Sequence, residues 1–310
     1  MARLVYLGTP EAGVLPLEAL VHAGHDVALV VSRADARRGR GGATGPSPVK
    51  RAAVALGLAV TDDLDAALHV GAELGVLVAY GRIIRSSVLD ALPMVNVHFS
   101  LLPRWRGAAP VERAVLAGDL STGVSLMRVD AGLDTGPVVA TRSVQIGEHE
   151  HVSSLTRRLS ALGATMLADA LADGALALAG GEPQHGEATV ATKLAPEEYR
   201  LDWASPAADL ERVVRLDGAW TTFRGERLHV NRARAHDELQ STPGDLEGRR
   251  ESAIDPLPGT LDGTSVRTGA GTLELIEVQP AGKRPMSVGA WLRGVRIRPF
   301  ETLGGDGAAR

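Results

Sequence analysis

The sequence predicts an α/β protein, with a doubly wound, mostly parallel sheet in its N-terminal part and a small β-barrel in its C-terminal part. The length of 310 residues favours two domains, because single hydrophobic cores stop growing near about 250 to 300 residues. Between Arg3 and Val31, two apolar runs flank a helical stripe, which is the spacing of a parallel β-α-β crossover. From Ser205 onward, a short helix precedes short strands separated by turn signals, a pattern typical of a small barrel.

The first crossover begins with a predicted strand at Arg3–Gly8. We expect Thr9 to cap the next helix, because its hydroxyl can accept a backbone N–H and Pro10 suits a position that needs no donor. The helix is predicted to end near Gly24, and the second strand covers His25–Val31.

The rest of the N-terminal part continues this pattern. Ser32–Gly45 consists largely of glycine and arginine and predicts a mobile surface loop. Ser47 is a predicted helix cap, and Gly57 is the predicted stop. The remaining predicted elements are strands at Leu74–Tyr80 and Met94–His98, an antiparallel pair at Val124–Val129 and Pro137–Gln145, and a long helix capped by Ser153 or Ser154.

A change of composition predicts the domain boundary. From Gly180 to Pro196 glycine, proline, threonine and acidic residues dominate, which indicates a linker. We therefore expect a first domain at 1–180, a linker at 181–198 and a second domain at 199–305. In the second domain we expect a helix at Ser205–Leu216 and turns at Asn231, Pro243-Gly244, Pro258-Gly259 and Gly269–Gly271.

The composition excludes several classes of protein. With 45% hydrophobic and 23% charged residues the chain is typical of globular proteins. The absence of cysteine excludes disulfide frameworks, thiolate metal sites and cysteine nucleophiles. No stretch of about eighteen residues is continuously apolar, and the first apolar run is too short for a secretory signal. We expect a soluble, cytoplasmic protein that does not enter membranes.

Two segments are basic although the net charge is −4. One runs from Arg33 to Arg51 and has six cations against Asp35 alone; the other, from Ala281 to Pro299, has five cations and no acid. Taken alone, such runs are typical of solvated surfaces.

Three other motifs do not support a site. Gly8–Gly13 lacks the second glycine of a dinucleotide fingerprint and the lysine of a P-loop. Asp134-Thr135-Gly136 resembles an aspartic-protease triplet, but a second triplet is absent. Glu148–His151 lacks the spacing of a zinc-protease helix, so we expect no bound metal.

The segment Asn96–Pro110 is the strongest candidate for a site. Asn96 and His98 lie two residues apart at the end of an apolar strand, so both side chains point to the same side. That end is the carboxyl edge, where open α/β sheets bind ligands. Asp134 follows a later strand on a glycine-flanked turn, where spacing alone leaves a turn-forming role equally open. An amide, an imidazole and a carboxylate without a serine or cysteine nucleophile suit transfer of an acyl group to an incoming amine.

At these residues the chain resembles the formyltetrahydrofolate-dependent formyltransferases, in particular those that act on methionyl-tRNA. The likeness covers nearly the whole chain, and its longest block is Asn96–Pro110. The supporting motifs are Gly8-Thr9-Pro10, Gly39-Arg40-Gly41, Pro46–Lys50, Ala79-Tyr80-Gly81, Asp130–Gly136, Asp202-Trp203 and Gln279–Lys283.

The resemblance implies a Rossmann-like catalytic domain and a C-terminal OB-like domain that binds tRNA. It implies 10-formyltetrahydrofolate as formyl donor, initiator Met-tRNA as acceptor and no metal. We expect a monomer, because nothing in the sequence requires more. The implied roles are catalysis by Asn96, His98 and Asp134, folate binding by Ser100, Leu101, Leu102 and Pro103, and tRNA contact by Arg40. With tRNA as partner, Arg37, Arg38, Lys283 and Arg284 in the two basic segments are also candidate tRNA contacts.

Other functions share these residues. The same trio is implied for sugar-nucleotide N-formyltransferases, glycinamide ribonucleotide formyltransferases and formyltetrahydrofolate hydrolases, and a non-catalytic RNA-binding protein is a further alternative. The chain also departs from the family, because Arg33–Arg38 lacks the usual prolines and Asp237–Pro258 is an expanded polar loop.

Overall fold

A computed structural model describes residues 1–37, 44–172, 174–175, 178, 180–236, 257–298 and 300–305. The chain forms two compact units. The first contains Met1–Ala114, Asp119–Ile146 and Ser154–Lys193, and the second contains Val115–Gly118, Gly147–Ser153 and the chain from Leu194 onward. Within the described ranges, no helix is both long enough and apolar enough to cross a lipid bilayer.

The N-terminal part alternates strands and helices. Its strands are β1 (Arg3–Gly8), β2 (Asp26–Val31), β3 (Ala36–Arg37), β4 (Thr44–Gly45), β5 (Val60–Thr61), β6 (Leu74–Val78), β7 (Met94–His98), β8 (Arg106–Gly107), β9 (Ser121–Arg128), β10 (Val138–Gln145) and β11 (Val190–Ala191). Its helices are α1 (Val14–His22), α2 (Pro48–Ala55), α3 (Ser86–Ala91), α4 (Pro110–Leu116) and α5 (Val152–Leu171), with 3-10 turns at Glu11–Gly13 and Asp65–His69.

Seven strands form the main sheet in the order β10-β9-β7-β6-β1-β2-β5. The five strands from β7 to β5 run parallel, and β9 and β10 add antiparallel pairs at one edge. All five residues of β6 are buried, as expected for a strand covered on both faces. The predicted mixed, mostly parallel sheet is confirmed.

Local capping signals were only partly predicted. Ser47 caps α2 as expected, because its Oγ accepts the Lys50 N–H at 3.0 Å. The prediction for Thr9 is wrong: a 3-10 turn without a side-chain cap precedes α1, and the Thr9 hydroxyl donates to the Tyr80 carbonyl at 3.3 Å. The prediction of a Ser153 or Ser154 cap is also wrong, because α5 begins at Val152 and both serines lie in its first turn.

The second unit is built on an antiparallel sheet. Its elements are α6 (Ala207–Val214), β12 (Trp220–Phe223), β13 (Glu226–His236), β14 (Leu261–Asp262), β15 (Ser265–Arg267), β16 (Thr272–Pro280), β17 (Met286–Ser287), α7 (Val288–Val295) and a 3-10 turn at Pro196–Tyr199. The strand order is β12-β13-β16-β15-β14, and β17 also pairs with β16. Phe223 and Trp291 meet edge to face in its core, with ring centroids 4.9 Å apart.

Two of the predicted turns of this unit, at Pro258-Gly259 and Gly269–Gly271, are confirmed. Gly259 and Gly271 have positive φ angles of +90° and +80°, which suit turns. Asn231 does not form a turn. It lies inside β13 at a register shift, and its side-chain amide donates to Glu277 on β16 at 3.2 Å. The predicted turn at Pro243-Gly244 lies outside the described residues.

Candidate active site

Asn96 and His98 lie on β7, and Asp134 lies on the turn between β9 and β10. Because β9 runs antiparallel to β7, with Ser125 beside His98 and Arg128 beside Val95, the turn after β9 begins near the start of β7 and folds back, so that Asp134 reaches Asn96 and His98. The structure therefore brings the three side chains together, although 36 positions separate His98 from Asp134.

The Asp134 carboxylate is the centre of this group. Its Oδ1 accepts a long hydrogen bond from Asn96 Nδ2 at 3.4 Å. Its Oδ2 lies 3.6 Å from His98 Nδ1 and accepts the backbone N–H of Gly107 at 2.8 Å. The side chains of His98 and Asp134 are 5% and 16% exposed, so water screens their interaction only weakly.

Both ring nitrogens of His98 face oxygen atoms. Nε2 lies 2.8 Å from the backbone carbonyl of Trp105, and Nδ1 faces Asp134. A carbonyl oxygen only accepts hydrogen bonds, so Nε2 is the donor in its contact with Trp105. A reacting oxygen that takes the Nε2 proton must compete with the Trp105 carbonyl. The Asn96 amide has two N–H groups and uses one of them for the contact with Asp134, so the other can donate to a reacting oxygen.

The segment that follows β7 is held against β9. Ser125 Oγ donates to the Ser100 carbonyl at 2.7 Å and accepts the Leu102 N–H at 3.1 Å. The Ser100 hydroxyl donates to the Arg104 carbonyl at 2.6 Å. Ser100 is buried, whereas Leu101, Leu102 and Pro103 are half-buried. The four predicted folate residues thus form one fixed turn beside the polar group.

Sequence reasoning missed three residues that shape this region. Asp119 accepts both a bidentate pair of hydrogen bonds from Arg104, at 2.9 and 2.6 Å, and one from the Trp105 indole at 2.8 Å. Thr189 accepts the Trp105 N–H at 2.8 Å, and Gln184 contacts the Asp134 turn. The last two are half-buried and lie in the segment expected to be a linker, where no apolar periodicity indicates a structural role.

Three of the predicted tRNA residues lie among the described residues, and all three are exposed. Arg37 is exposed on β3, and Lys283 and Arg284 are exposed on the turn between β16 and β17. Arg38 and Arg40 lie outside the described residues.

The histidines of Glu148–His151 have protein partners. His149 Nδ1 lies 2.6 Å from Glu211 Oε1, and His151 Nδ1 lies 2.8 Å from Asp217 Oδ1. The described residues contain no group of three or more histidine or acidic side chains arranged to hold a metal ion.

Two family profiles match the chain: "Formyl transferase" over residues 2–171 and "Formyl transferase, C-terminal domain" over residues 193–296. The methionyl-tRNA formyltransferase of Jannaschia sp. is 39% identical over 315 residues, which cover 97% of this chain and 99% of the relative. That of Clavibacter michiganensis is 42% identical over 310 residues, which cover 96% and 98%.

Solved structures show the same fold at lower identity. The methionyl-tRNA formyltransferase from Clostridium thermocellum aligns with a TM-score of 0.53 at 16% identity, covering 78% of this chain and 96% of that one. The N-formyltransferase from Helicobacter canadensis, solved with folinic acid and dTDP-3-aminofucose, aligns with a TM-score of 0.62 at 14% identity, covering 92% and 100%.

Proposed function

The chain belongs to the formyl transferase family, and we propose that it transfers a formyl group from 10-formyltetrahydrofolate to the α-amino group of methionine on initiator tRNA. The observation that carries the chemistry is the contact of Asp134 with both Asn96 and His98 at the carboxyl edge of the sheet. Identity near 40% over almost the full length of methionyl-tRNA formyltransferases favours an aminoacyl-tRNA acceptor over a small amine.

We propose that the residue beside Asp134 contacts the donor. Leu133 has an apolar side chain that is 61% exposed. A flat heterocycle such as the pterin of folate would cover such a side chain. We propose that the Ser100–Pro103 turn borders the same site.

Bound 10-formyltetrahydrofolate supplies the formyl carbon on its N10. The side-chain amide of Asn96 donates a hydrogen bond to the formyl oxygen. This oxygen becomes negative as the amine of methionine adds to the formyl carbon. A ring N–H of His98 donates to the same oxygen, and Asp134 keeps the ring oriented. Asp134 also accepts the proton that the attacking amine loses, so that the proton can be relayed to N10 as the bond from carbon to N10 breaks.

The remaining residues are assigned to tRNA. We propose that Arg37, Arg38, Arg40, Lys283 and Arg284 contact tRNA phosphates, which position the acceptor end without reading its sequence.

We further propose that 1–180 forms the catalytic domain and 199–305 the tRNA-binding domain, joined by 181–198, of which the part up to Lys193 belongs to the compact first unit. A monomeric protein acting in the cytoplasm is part of the same proposal.

The deciding assay supplies 10-formyltetrahydrofolate with methionyl-tRNA, free methionine or a dTDP-amino sugar as acceptor. We expect formyl transfer to methionyl-tRNA alone. Transfer to the amino sugar would identify a sugar N-formyltransferase. RNA binding without any transfer, unaffected by His98→Ala, would identify a non-catalytic RNA-binding protein.

A further inference from the structure

The side chain of Gln184 connects the turn that carries Asp134 to Arg106 on β8. Its Nε2 donates to the backbone carbonyls of Asp134 and Gly136, both at 2.8 Å. Its Oε1 accepts two hydrogen bonds from Arg106, from Nε at 3.0 Å and from Nη2 at 2.7 Å. The partners fix the orientation of the amide, because arginine only donates and carbonyls only accept. Both polar atoms of the Gln184 amide are therefore hydrogen-bonded.

The turn between β9 and β10 has an unfavourable backbone conformation at Asp134, which hydrogen bonds from other segments stabilise. Asp134 has a φ angle of +51°, in the left-handed region that residues with a Cβ rarely adopt. That conformation is the one in which the carboxylate reaches Asn96, His98 and the Gly107 N–H. Two hydrogen bonds from Gln184, one to Asp134 itself and one two residues later, favour this conformation over the extended or helical ones.

Arg106 and Gly107 complete the arrangement. Arg106 holds Gln184, and the next residue donates its N–H to Asp134. Both lie on β8, which pairs with β11 a few residues after Gln184. The backbone of Asp134 is thus held through Gln184, and its carboxylate is held through Gly107, from the same short strand.

We propose that Gln184 is a positioning residue that sets the orientation of the Asp134 carboxylate towards His98. The predicted effect of Gln184 on the rate of formyl transfer rests on the proposed function. The predicted effect of Gln184 on the hydrogen bond from Gly107 to Asp134 is independent of that function, because this hydrogen bond exists whatever the reaction is.

The test compares Gln184→Glu with wild type and with Gln145→Glu, a matched change at an exposed position on β10. Glutamate keeps the length of the side chain and an oxygen for Arg106, but it cannot donate to the two carbonyls. Gln184→Asn is the second variant, because it keeps the amide on a shorter stem that cannot reach all partners.

The first readout is the amide proton of Gly107, followed by NMR hydrogen exchange and chemical shift. The second is formyl transfer to methionyl-tRNA. For both Gln184 variants we expect Gly107 exchange at least ~10-fold faster than wild type and kcat about 10-fold lower, since small misplacements of reacting groups can cost up to ~100-fold. KM for methionyl-tRNA should stay within about twofold of wild type if only orientation is lost. Gln145→Glu should change none of these values.

An unchanged Gly107 amide in both Gln184 variants overturns the proposal, whether or not the rate falls. A wild-type kcat in a variant with a freed Gly107 amide also overturns it, because orientation would then not matter to the reaction. If the wild-type protein transfers no formyl group, the proposed function fails, and the Gly107 amide still decides whether Gln184 sets the position of Asp134.

Discussion

Each unit of the molecule contains an aspartate and histidine pair built in the same way. Asp134 and Asp217 both have left-handed backbones, with φ angles of +51° and +62°. Each faces the Nδ1 atom of a histidine, at 3.6 Å for His98 and 2.8 Å for His151. Each also accepts a backbone N–H at 2.8 Å. Local geometry alone therefore does not distinguish a catalytic pair from a structural one.

The surroundings of the two pairs differ. The side chain of His98 is 5% exposed, its Nε2 faces the Trp105 carbonyl, and Asn96, two residues earlier on β7, donates to the same aspartate. His151 is 23% exposed and directly precedes α5, where Asp217 accepts the Ser153 N–H in the first turn. The second pair thus caps a helix, even though its ion pair is shorter. The neighbouring donor Asn96 therefore distinguishes the His98 pair from the His151 pair better than the distance between carboxylate and imidazole does.

The largest expected effect follows from removing one of the two proposed hydrogen-bond donors beside Asp134, which are Asn96 and His98. Asn96→Ala or His98→Ala should lower kcat by about 100-fold or more, the usual cost of losing a group that stabilises developing negative charge. Steady-state formylation at saturating methionyl-tRNA and 10-formyltetrahydrofolate measures this. His151→Ala is the matched control and should keep the wild-type rate. Near-normal turnover in the Asn96 or His98 variant would remove the catalytic assignment.

Replacing each aspartate by its isosteric amide tests the comparison directly. Asp134→Asn should lower kcat by about 100-fold, because an amide cannot accept the proton that the attacking amine loses. Asp217→Asn should leave kcat unchanged. Equal losses of kcat in the two variants would contradict the division into a catalytic and a structural pair.

The basic turn of the second unit should affect binding and not rate. Replacing both Lys283 and Arg284 by alanine should weaken tRNA binding and reduce the slope of log affinity against log salt by about 2, roughly one per phosphate contact. The kcat at saturating tRNA should not change. Filter binding at several salt concentrations measures the slope. Arg157→Ala, an exposed change on α5, is the control, and an unchanged slope in the double variant would exclude a phosphate contact.

The smallest expected effect is a pH-dependent change in stability. Burial alone would raise the pKa of Asp217, but hydrogen bonds from His151 and from Ser153 outweigh it and lower the pKa below its usual value. A lowered pKa contributes stability above the unfolded value near ~3.9, and the contribution disappears as pH falls through the folded value. Asp217→Asn should therefore destabilise the protein by at most ~1 kcal/mol near neutral pH, since the pair is partly exposed.

Urea unfolding at neutral pH and at several acidic pH values below the unfolded pKa near ~3.9 measures this difference, because the contribution of the ionised carboxylate shrinks as Asp217 takes up a proton. A gap between wild type and Asp217→Asn that persists undiminished in acid would show that the charge of Asp217 is not the cause.

Much of the architecture could be predicted from the sequence. Alternating or continuous apolar runs predicted the strands, and Ser47 followed by Pro48 predicted the start of α2, because both signals act within a few residues. Asn96 and His98 were predicted to share a face for the same reason, since side chains two apart in a strand point to one side. The errors at Thr9 and Asn231 arose where a side chain bonds a residue far away in the chain.

The sequence by itself determined the fold class, the strand that carries Asn96 and His98, and the kinds of side chain available for acyl transfer. Only the tertiary structure decided that Asp134 faces those two residues and that Gln184, in a polar segment without periodicity, supports it. The reason is physical. Periodicity and capping report contacts within one element, whereas these contacts join residues 36 to 50 positions apart, which only the fold of the turns between the strands brings together.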